Sequence, residues 1–99
     1  MGKVRIIYTT QFADNLADLI FFIESKGLVK TAQKYAERVY NFIEKLPFNK
    51  FNYKYCLDPN RADLGLKCIK FNNKYTIVFY QFEDDVIITE FIPFKLIVF

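Results

Sequence analysis

Hydrophobic positions recur with a helical period in the first half of the chain and alternate in the second half. A short apolar stretch at residues 4–8 (VRIIY) comes first, and its β-branched and aromatic side chains predict a strand. Two stretches with apolar residues every three or four positions follow, and they predict a helix ending near Gly27 and a second helix over residues 29–46. Pro47 closes the second helix. The short glycine-containing link predicts that the two helices form an antiparallel hairpin.

The second half predicts a meander of three strands after an irregular stretch at residues 48–64. The strands cover residues 66–71, 74–82 and 86–92, with turns at Asn72-Asn73 and at residues 83–85. The element order is therefore β-α-α-β-β-β, and residues 1–99 are expected to form a single α+β domain. We expect the helical hairpin to pack on one face of a small, mainly antiparallel sheet and to leave the other face open for a ligand.

The same periods predict which apolar side chains form the core, namely Ile20, Ile23, Val39, Ile43, Ile77 and Phe79. The chain holds 12 Phe and 7 Tyr, which is more aromatic surface than one small core can hide. We therefore expect a partner protein to cover part of it. Residues 95–99 (KLIVF) are either a further short strand or an apolar tail that such a partner covers.

Several classes of chemistry are excluded by residues that the chain lacks. It has no histidine, which excludes Ser–His and Cys–His catalysis and histidine-bound metals. Cys56 and Cys68 are too few for a structural zinc site, and we expect two reduced thiols. No metal or cofactor is predicted. No apolar run approaches the ~20 residues that cross a bilayer, and residues 1–5 do not resemble a signal peptide, so we expect a cytoplasmic protein without membrane contact.

Charge is distributed unevenly along the chain. Residues 47–82 contain six basic and two acidic side chains, whereas residues 83–99 contain one basic and four acidic side chains. A sequence pI of 8.8 permits nucleic-acid binding without requiring it. The lysines of the meander are either a solvated face or a track for phosphates.

Three further side chains each have a functional and a purely structural interpretation. Arg61 either contacts a phosphate or a partner carboxylate, or pairs with Asp58 or Asp63 at the surface. Tyr80 lies on the opposite face of its strand from Tyr75 because their separation is odd, and a tyrosine on the open face could stack on a base. Glu90 is either a surface residue or, beside lysines on the open face, a general base.

Several stretches of the chain resemble a known family. Residues 8–24 (YTTQFADNLADLIFFIE), residues 32–47 (AQKYAERVYNFIEKLP) and the meander, with NKYTIVFY followed by D-x-V-x-I, are similar to the RelE/ParE superfamily of bacterial type II toxin–antitoxin toxins. The resemblance runs from residue 4 to about residue 92 and implies the same β-α-α-β-β-β fold. It also implies one of two activities. RelE-like toxins bind the ribosomal A site and cut mRNA, whereas ParE-like toxins inhibit DNA gyrase without chemistry of their own.

The resemblance further implies a cognate antitoxin that wraps the toxin through apolar contacts. The expected assembly is either a toxin–antitoxin hetero-oligomer or a homodimer of this chain. Ribonuclease members place an arginine where this chain has Phe71, a second arginine near Lys95, and a C-terminal Tyr or His beyond it that has no equivalent here. The remaining candidate cations for a scissile phosphate are Lys67, Lys70, Lys74 and Lys95, and the candidate RNA-binding residues are Lys50, Lys54, Arg61 and Tyr80.

Whether the chain is an enzyme therefore stays open at this stage. It could cut mRNA on the ribosome with a lysine-based site, or it could inhibit gyrase by binding alone. A third interpretation comes from another class of protein. In it, the domain is a non-catalytic interaction module, or a decayed toxin, whose open sheet face or sheet edge accepts a partner peptide.

Overall fold

The computed structural model describes residues 4–48 and 53–93. The elements in chain order are β1 (Arg5–Tyr8), α1 (Thr10–Ser25), α2 (Val29–Glu44), α3 (Pro59–Asp63), β2 (Lys67–Phe71), β3 (Tyr75–Phe82) and β4 (Asp85–Pro93). The α+β class and the β-α-α-β-β-β order are confirmed, and α3 is an additional short helix in the stretch that we expected to be irregular. None of the helices in the described part of the chain is long and apolar enough to cross a membrane.

The two long helices begin and end at residues that suit those positions. The Thr9 hydroxyl accepts a hydrogen bond from the backbone N–H of Phe12 at 3.1 Å and so caps the start of α1. Gly27 has a φ of 82°, a conformation that glycine adopts without strain, and its N–H bonds the carbonyl of Glu24 at 2.8 Å. The chain therefore stops at Gly27 and turns back into α2, as the sequence predicted.

The strands form one four-stranded sheet in the order β1-β4-β3-β2. β1 runs parallel to β4, and the other neighbours are antiparallel. Asn72 and Asn73 join β2 to β3 with φ values of 55° and 57°, the pair of left-handed residues that a tight hairpin turn requires. Because β1 lies beside β4, β2 is left at one edge of the sheet and β1 at the other.

A β-bulge at Thr89 decides which side chains of β4 face the helices. Strict alternation from Val86 and Ile88, which are buried, would direct Glu90 into the core. The extra residue shifts the alternation, so that Phe91 is buried instead and Glu90 lies on the other face. On one side of the bulge Val78 pairs with Glu90, and on the other side Phe79 pairs with Ile88, so Thr89 is the extra residue.

The core lies between the sheet and the two long helices, and most of its predicted members are correct. Of the predicted residues, the fully buried ones are Val39, Ile43, Ile77 and Phe79. Ile20 and Ile23 are only half-buried, so neither is a fully buried core residue as predicted, although Ile20 packs against the core cluster. The buried residues of α1 are Phe12 and Leu16, both in its first half.

The reason is that α1 is held to the sheet near its start. The Thr9 hydroxyl donates to the Thr89 carbonyl, Asn15 accepts from the backbone N–H of Phe91, and the ring of Phe12 packs edge-on against that of Phe91. The first turns of α1 are therefore buried most deeply, and the later turns expose more side chain.

The expectation of two reduced thiols is wrong for this structure, because Cys56 and Cys68 form a disulfide with an S–S distance of 2.02 Å. The segment before α3 doubles back beside the start of β2, where Tyr55 bridges to Lys67 and the Cys56 N–H bonds the Leu66 carbonyl at 3.0 Å. This pairing of distant segments brings the two sulfurs together. A disulfide cannot be predicted from the spacing of 12 residues alone.

Candidate functional site: the open face of the sheet

The open face is the side of the sheet that lies away from α1 and α2. Strand alternation assigns its members, and the registers align them into rows across the sheet. The rows are Lys70–Thr76–Ile92, Cys68–Val78–Glu90, Tyr80–Ile87–Ile7 and Phe82–Asp85–Arg5. The face thus carries the basic residue Lys70 towards one end. Towards the opposite end lie the apolar Tyr80 row and, beyond it, Arg5 and Asp85.

The segment that contains α3 covers the middle of the open face. Cys56 and Leu66 are buried there against Val78, and Cys68 and Ile92 pack beside them. The disulfide attaches this segment covalently to β2. The open face is therefore not one continuous surface, because a small apolar cluster and its cover divide it.

Arg61 attaches α3 to the sheet at the same place. Its guanidinium donates two hydrogen bonds to the Glu90 carboxylate, at 2.9 and 3.2 Å, and a third to Asp58. The pKa of Arg61 is raised, and the hydrogen bond with Glu90 is the largest cause. Asp58 also accepts a hydrogen bond from the Asn60 N–H and caps α3. Arg61 thus pairs with Asp58, one of the partners expected from the sequence, and with Glu90, which was not expected.

The Arg61–Glu90 pair bears on the idea of Glu90 as a general base. The bulge at Thr89 does direct Glu90 to the open face, which that role requires. Both carboxylate oxygens, however, accept hydrogen bonds from Arg61. The arrangement is that of a partly buried structural ion pair, with side-chain exposures of 23% for Arg61 and 13% for Glu90.

The described lysines among the predicted phosphate ligands do not share one surface. Lys70 is exposed on the open face of β2. Lys67 has the opposite orientation in the same strand and is 8% exposed, with its ammonium 5.4 Å from the centre of the Tyr55 ring. Lys74 lies in the β2–β3 turn, and Lys54 is exposed in the segment before α3. Lys50 and Lys95 lie outside the described residues.

Lys67 and Lys70 are three residues apart in β2, so only a bulge or a strand end could bring them onto one face. The bulge is in β4 instead, and the pairing of β2 with β3 is regular from Lys67 to Phe71. Lys67 and Lys70 therefore remain on opposite sides of the sheet. For the same reason Tyr75 and Tyr80 lie on opposite faces, as predicted.

Tyr80 belongs to an apolar end of the open face. It is 37% exposed and lies in one row with Ile87 and Ile7, which is 38% exposed, and two residues before Phe82, which is 63% exposed. Tyr75, on the helix side, stacks on Phe91 with 4.8 Å between ring centres. Tyr80 is therefore accessible to a partner or a base, whereas Tyr75 is a packing residue.

A second ion pair lies at the end of the open face, beyond the Tyr80 row. Arg5 donates two hydrogen bonds to Asp85, at 2.9 and 3.0 Å. This pairing lowers the pKa of Asp85, with the hydrogen bond from Arg5 as the largest cause. Within residues 4–48 and 53–93, no group of three or more Cys, Asp or Glu side chains is arranged to hold a metal ion.

The fold has a counterpart among solved structures. A chain in the structure described as the chromosomal ParDE TA system from P. aeruginosa matches it with a TM-score of 0.75 and 12% sequence identity, over 91% of this chain and 95% of that chain. No protein-family model matches the sequence, and no curated protein matches it significantly. At this identity the likeness establishes the architecture. The chain has the same α+β fold as that chain, and this is the fold that the resemblance implies.

Proposed function

We propose that this chain is the toxin of a type II toxin–antitoxin pair, that it acts in the cytoplasm, and that a cognate antitoxin neutralises it. The observation that carries the proposal is the ParE-like fold over 91% of the chain. The neighbour's title names a toxin–antitoxin system, and the sequence patterns resemble the toxins of that superfamily independently of the structure. Two lines of argument, from sequence and from fold, therefore favour the same class.

An exposed apolar surface supports the antitoxin partner. The end of α1 and the start of α2 form the tip of the helical hairpin, where four large apolar side chains are at least half exposed: Phe21, Phe22, Leu28 and Val29. Surfaces of this kind on a small domain mark protein–protein contacts. We assign this hairpin tip to the antitoxin.

We further propose that the toxin acts by binding its target, with DNA gyrase as the leading candidate. RNA cleavage needs cations and a proton acceptor arranged around one phosphate. Among the described residues, Lys67 and Lys70 point to opposite sides of the sheet, and Glu90 is engaged by Arg61. These positions favour the non-catalytic, ParE-like mode.

One observation favours mRNA cleavage as the second candidate. Lys70 and Tyr80 both lie on the open face, on either side of the segment that covers its middle, and their rows are about 13 Å apart along the strands, from a rise of about 3.3 Å per residue. A cation and an aromatic side chain at that spacing could contact a phosphate and a base of one RNA strand.

The two mechanisms are separated by assays on the purified chain. One assay measures supercoiling of relaxed plasmid by gyrase, and the other maps mRNA cuts by primer extension in a translation extract. The proposal predicts inhibited supercoiling and uncut mRNA. Ribosome-dependent cuts that disappear in Lys70→Ala would favour the second candidate, and a chain inactive in both assays would contradict the toxin proposal.

A further inference from the structure

The exposed side of α2 carries a line of positive charge that the open face does not explain. On a helical projection Lys30, Lys34, Arg38 and Lys45 fall within an arc of about 80°, and Asn41 lies among them. All five side chains are exposed. This basic stripe (Lys30, Lys34, Arg38 and Lys45) is about 22 Å long, at 1.5 Å per residue. It lies on the helix side of the sheet and is separate from the open face.

The charges of the stripe are not explained by a role in stabilising the folded chain. None of its four cations takes part in an ion pair with any residue that the structure describes. Lys30 and Lys34, and Lys34 and Arg38, are like charges four residues apart, which destabilises a helix. Lys30 also lies in the first helical turn, where the helix dipole disfavours a cation. The charges of Lys30, Lys34 and Arg38 therefore repel one another along α2, whereas Lys45 lies at the C-cap, where the helix dipole favours a cation.

A groove lies beside the later half of the stripe, at Arg38 and Lys45. It has a volume of about 310 Å³ and lies between the later turns of α2 and the β2–β3 turn. Arg38, Asn41 and Lys45 line one wall, and Phe71 and Asn72 line the other. Two cations and two side-chain amides therefore line this concavity, together with the rings of Phe42 and Phe71.

We propose that the basic stripe binds the phosphate backbone of a nucleic acid. The exposed residues of α2 are all polar from Lys30 to Lys45, whereas the centre of a protein–protein interface is apolar and depleted of charge. Protein surfaces that bind nucleic acids are polar and basic, and the exposed residues from Lys30 to Lys45 carry four cations against the carboxylates of Glu37 and Glu44. The assignment goes beyond the proposed toxin function and does not depend on the identity of the toxin's target.

The test measures binding of the full chain to two labelled probes by fluorescence anisotropy, between about 50 and about 200 mM salt. The probes are a DNA duplex of about 20 base pairs and an unstructured RNA of similar length, both longer than the stripe. The variant Lys34→Gln/Arg38→Gln/Lys45→Gln removes three cations. Its slope of log affinity against log salt should become shallower by about 2 on the single strand or about 2.7 on the duplex. The probe that shows this change identifies the form of nucleic acid bound.

A matched control separates the stripe from overall charge. Gln11→Glu/Ala13→Glu/Ala17→Glu lowers the net charge by the same amount at exposed positions of α1. It should keep the wild-type salt slope. If the stripe variant melts below wild type, Arg38→Gln alone carries the test, with a slope change of about 0.7 to 0.9.

Three results would overturn the proposal. The wild-type chain could fail to bind either probe, or the stripe variant could match the charge control. Alternatively, the stripe could bind polyglutamate and neither probe, which would assign it to an acidic protein segment.

Discussion

The guanidinium of Arg61 in α3 holds the carboxylate of Glu90 in β4 through two hydrogen bonds, at 2.9 and 3.2 Å. The disulfide between Cys56 and Cys68 ties the same covering segment to β2. One ionic and one covalent link therefore attach α3 to the middle of the open face.

Arg61→Ala should lower the free energy of unfolding by about 1 to 3 kcal/mol, because it leaves the partly buried Glu90 carboxylate without its donor. Urea denaturation at neutral pH measures the change. Arg61→Lys is the conservative control and should recover part of the loss, since it keeps a charge and can still donate. An unchanged denaturation midpoint for Arg61→Ala would show that the ion pair does not hold α3.

The disulfide should stabilise the oxidised chain by about 2 to 4 kcal/mol, because it closes a loop of 12 residues in the unfolded state. Cys56→Ala/Cys68→Ala should therefore unfold at lower urea than the oxidised wild type. With dithiothreitol present, the two proteins should differ much less. A wild-type midpoint that does not respond to reductant would contradict the assignment.

Acid should weaken the Arg5–Asp85 pair. The folded-state pKa of Asp85 lies below its usual value of 3.8, so the pair contributes stability above that pH and loses it as the pH falls through the folded pKa. The stability difference between wild type and Arg5→Gln should be constant near neutral pH and shrink below about pH 4. Urea denaturation across this range measures it. A difference that persists at the acid end would exclude Asp85 as the partner that matters.

Val39→Asp should cost several kcal/mol, because it places a charge without a partner at a fully buried position of α2. Gln33→Asp introduces the same side chain at an exposed position of the same helix and should cost far less. Thermal melting of both variants tests the core assignment. Equal melting temperatures for the two variants would contradict the packing of α2 on the sheet.

Phe22→Ser at the hairpin tip should weaken binding of the antitoxin and leave growth inhibition intact, because this exposed ring is assigned to the antitoxin contact. Co-purification with the product of a neighbouring open reading frame measures the first effect, and induction of the variant measures the second. Loss of both together would indicate a folding defect or a shared surface. Unchanged co-purification would place the antitoxin elsewhere.

Local periodicity was sufficient to predict the two long helices, the four strands and much of the core, but not the short helix α3. Val39 and Ile43 follow the helical period, and Ile77 and Phe79 follow the alternation of a central strand. Burial at the end of α1 was overestimated, because period alone does not say how far along a helix its packing partner extends.

The candidate site depended on contacts that sequence reasoning could not reach. The stretch VIITEFI does not reveal which residue is the bulge, so the face of Glu90 was left open. The disulfide and the Arg61–Glu90 pair join residues 12 and 29 positions apart through tertiary structure. The spacing of Lys30, Lys34, Arg38 and Lys45 was visible in the sequence, but both helices also contain acidic residues, so a count of charge over a whole segment does not reveal the stripe.

The central claim is that this chain is a growth-inhibiting toxin, and the most direct measurement is the count of colony-forming cells after its induction in a bacterial host. The account predicts a steep fall in colony counts, an increase in a DNA-damage reporter, and recovery of both when the antitoxin from the neighbouring open reading frame is co-expressed. Undiminished colony counts at a verified level of folded protein would contradict it.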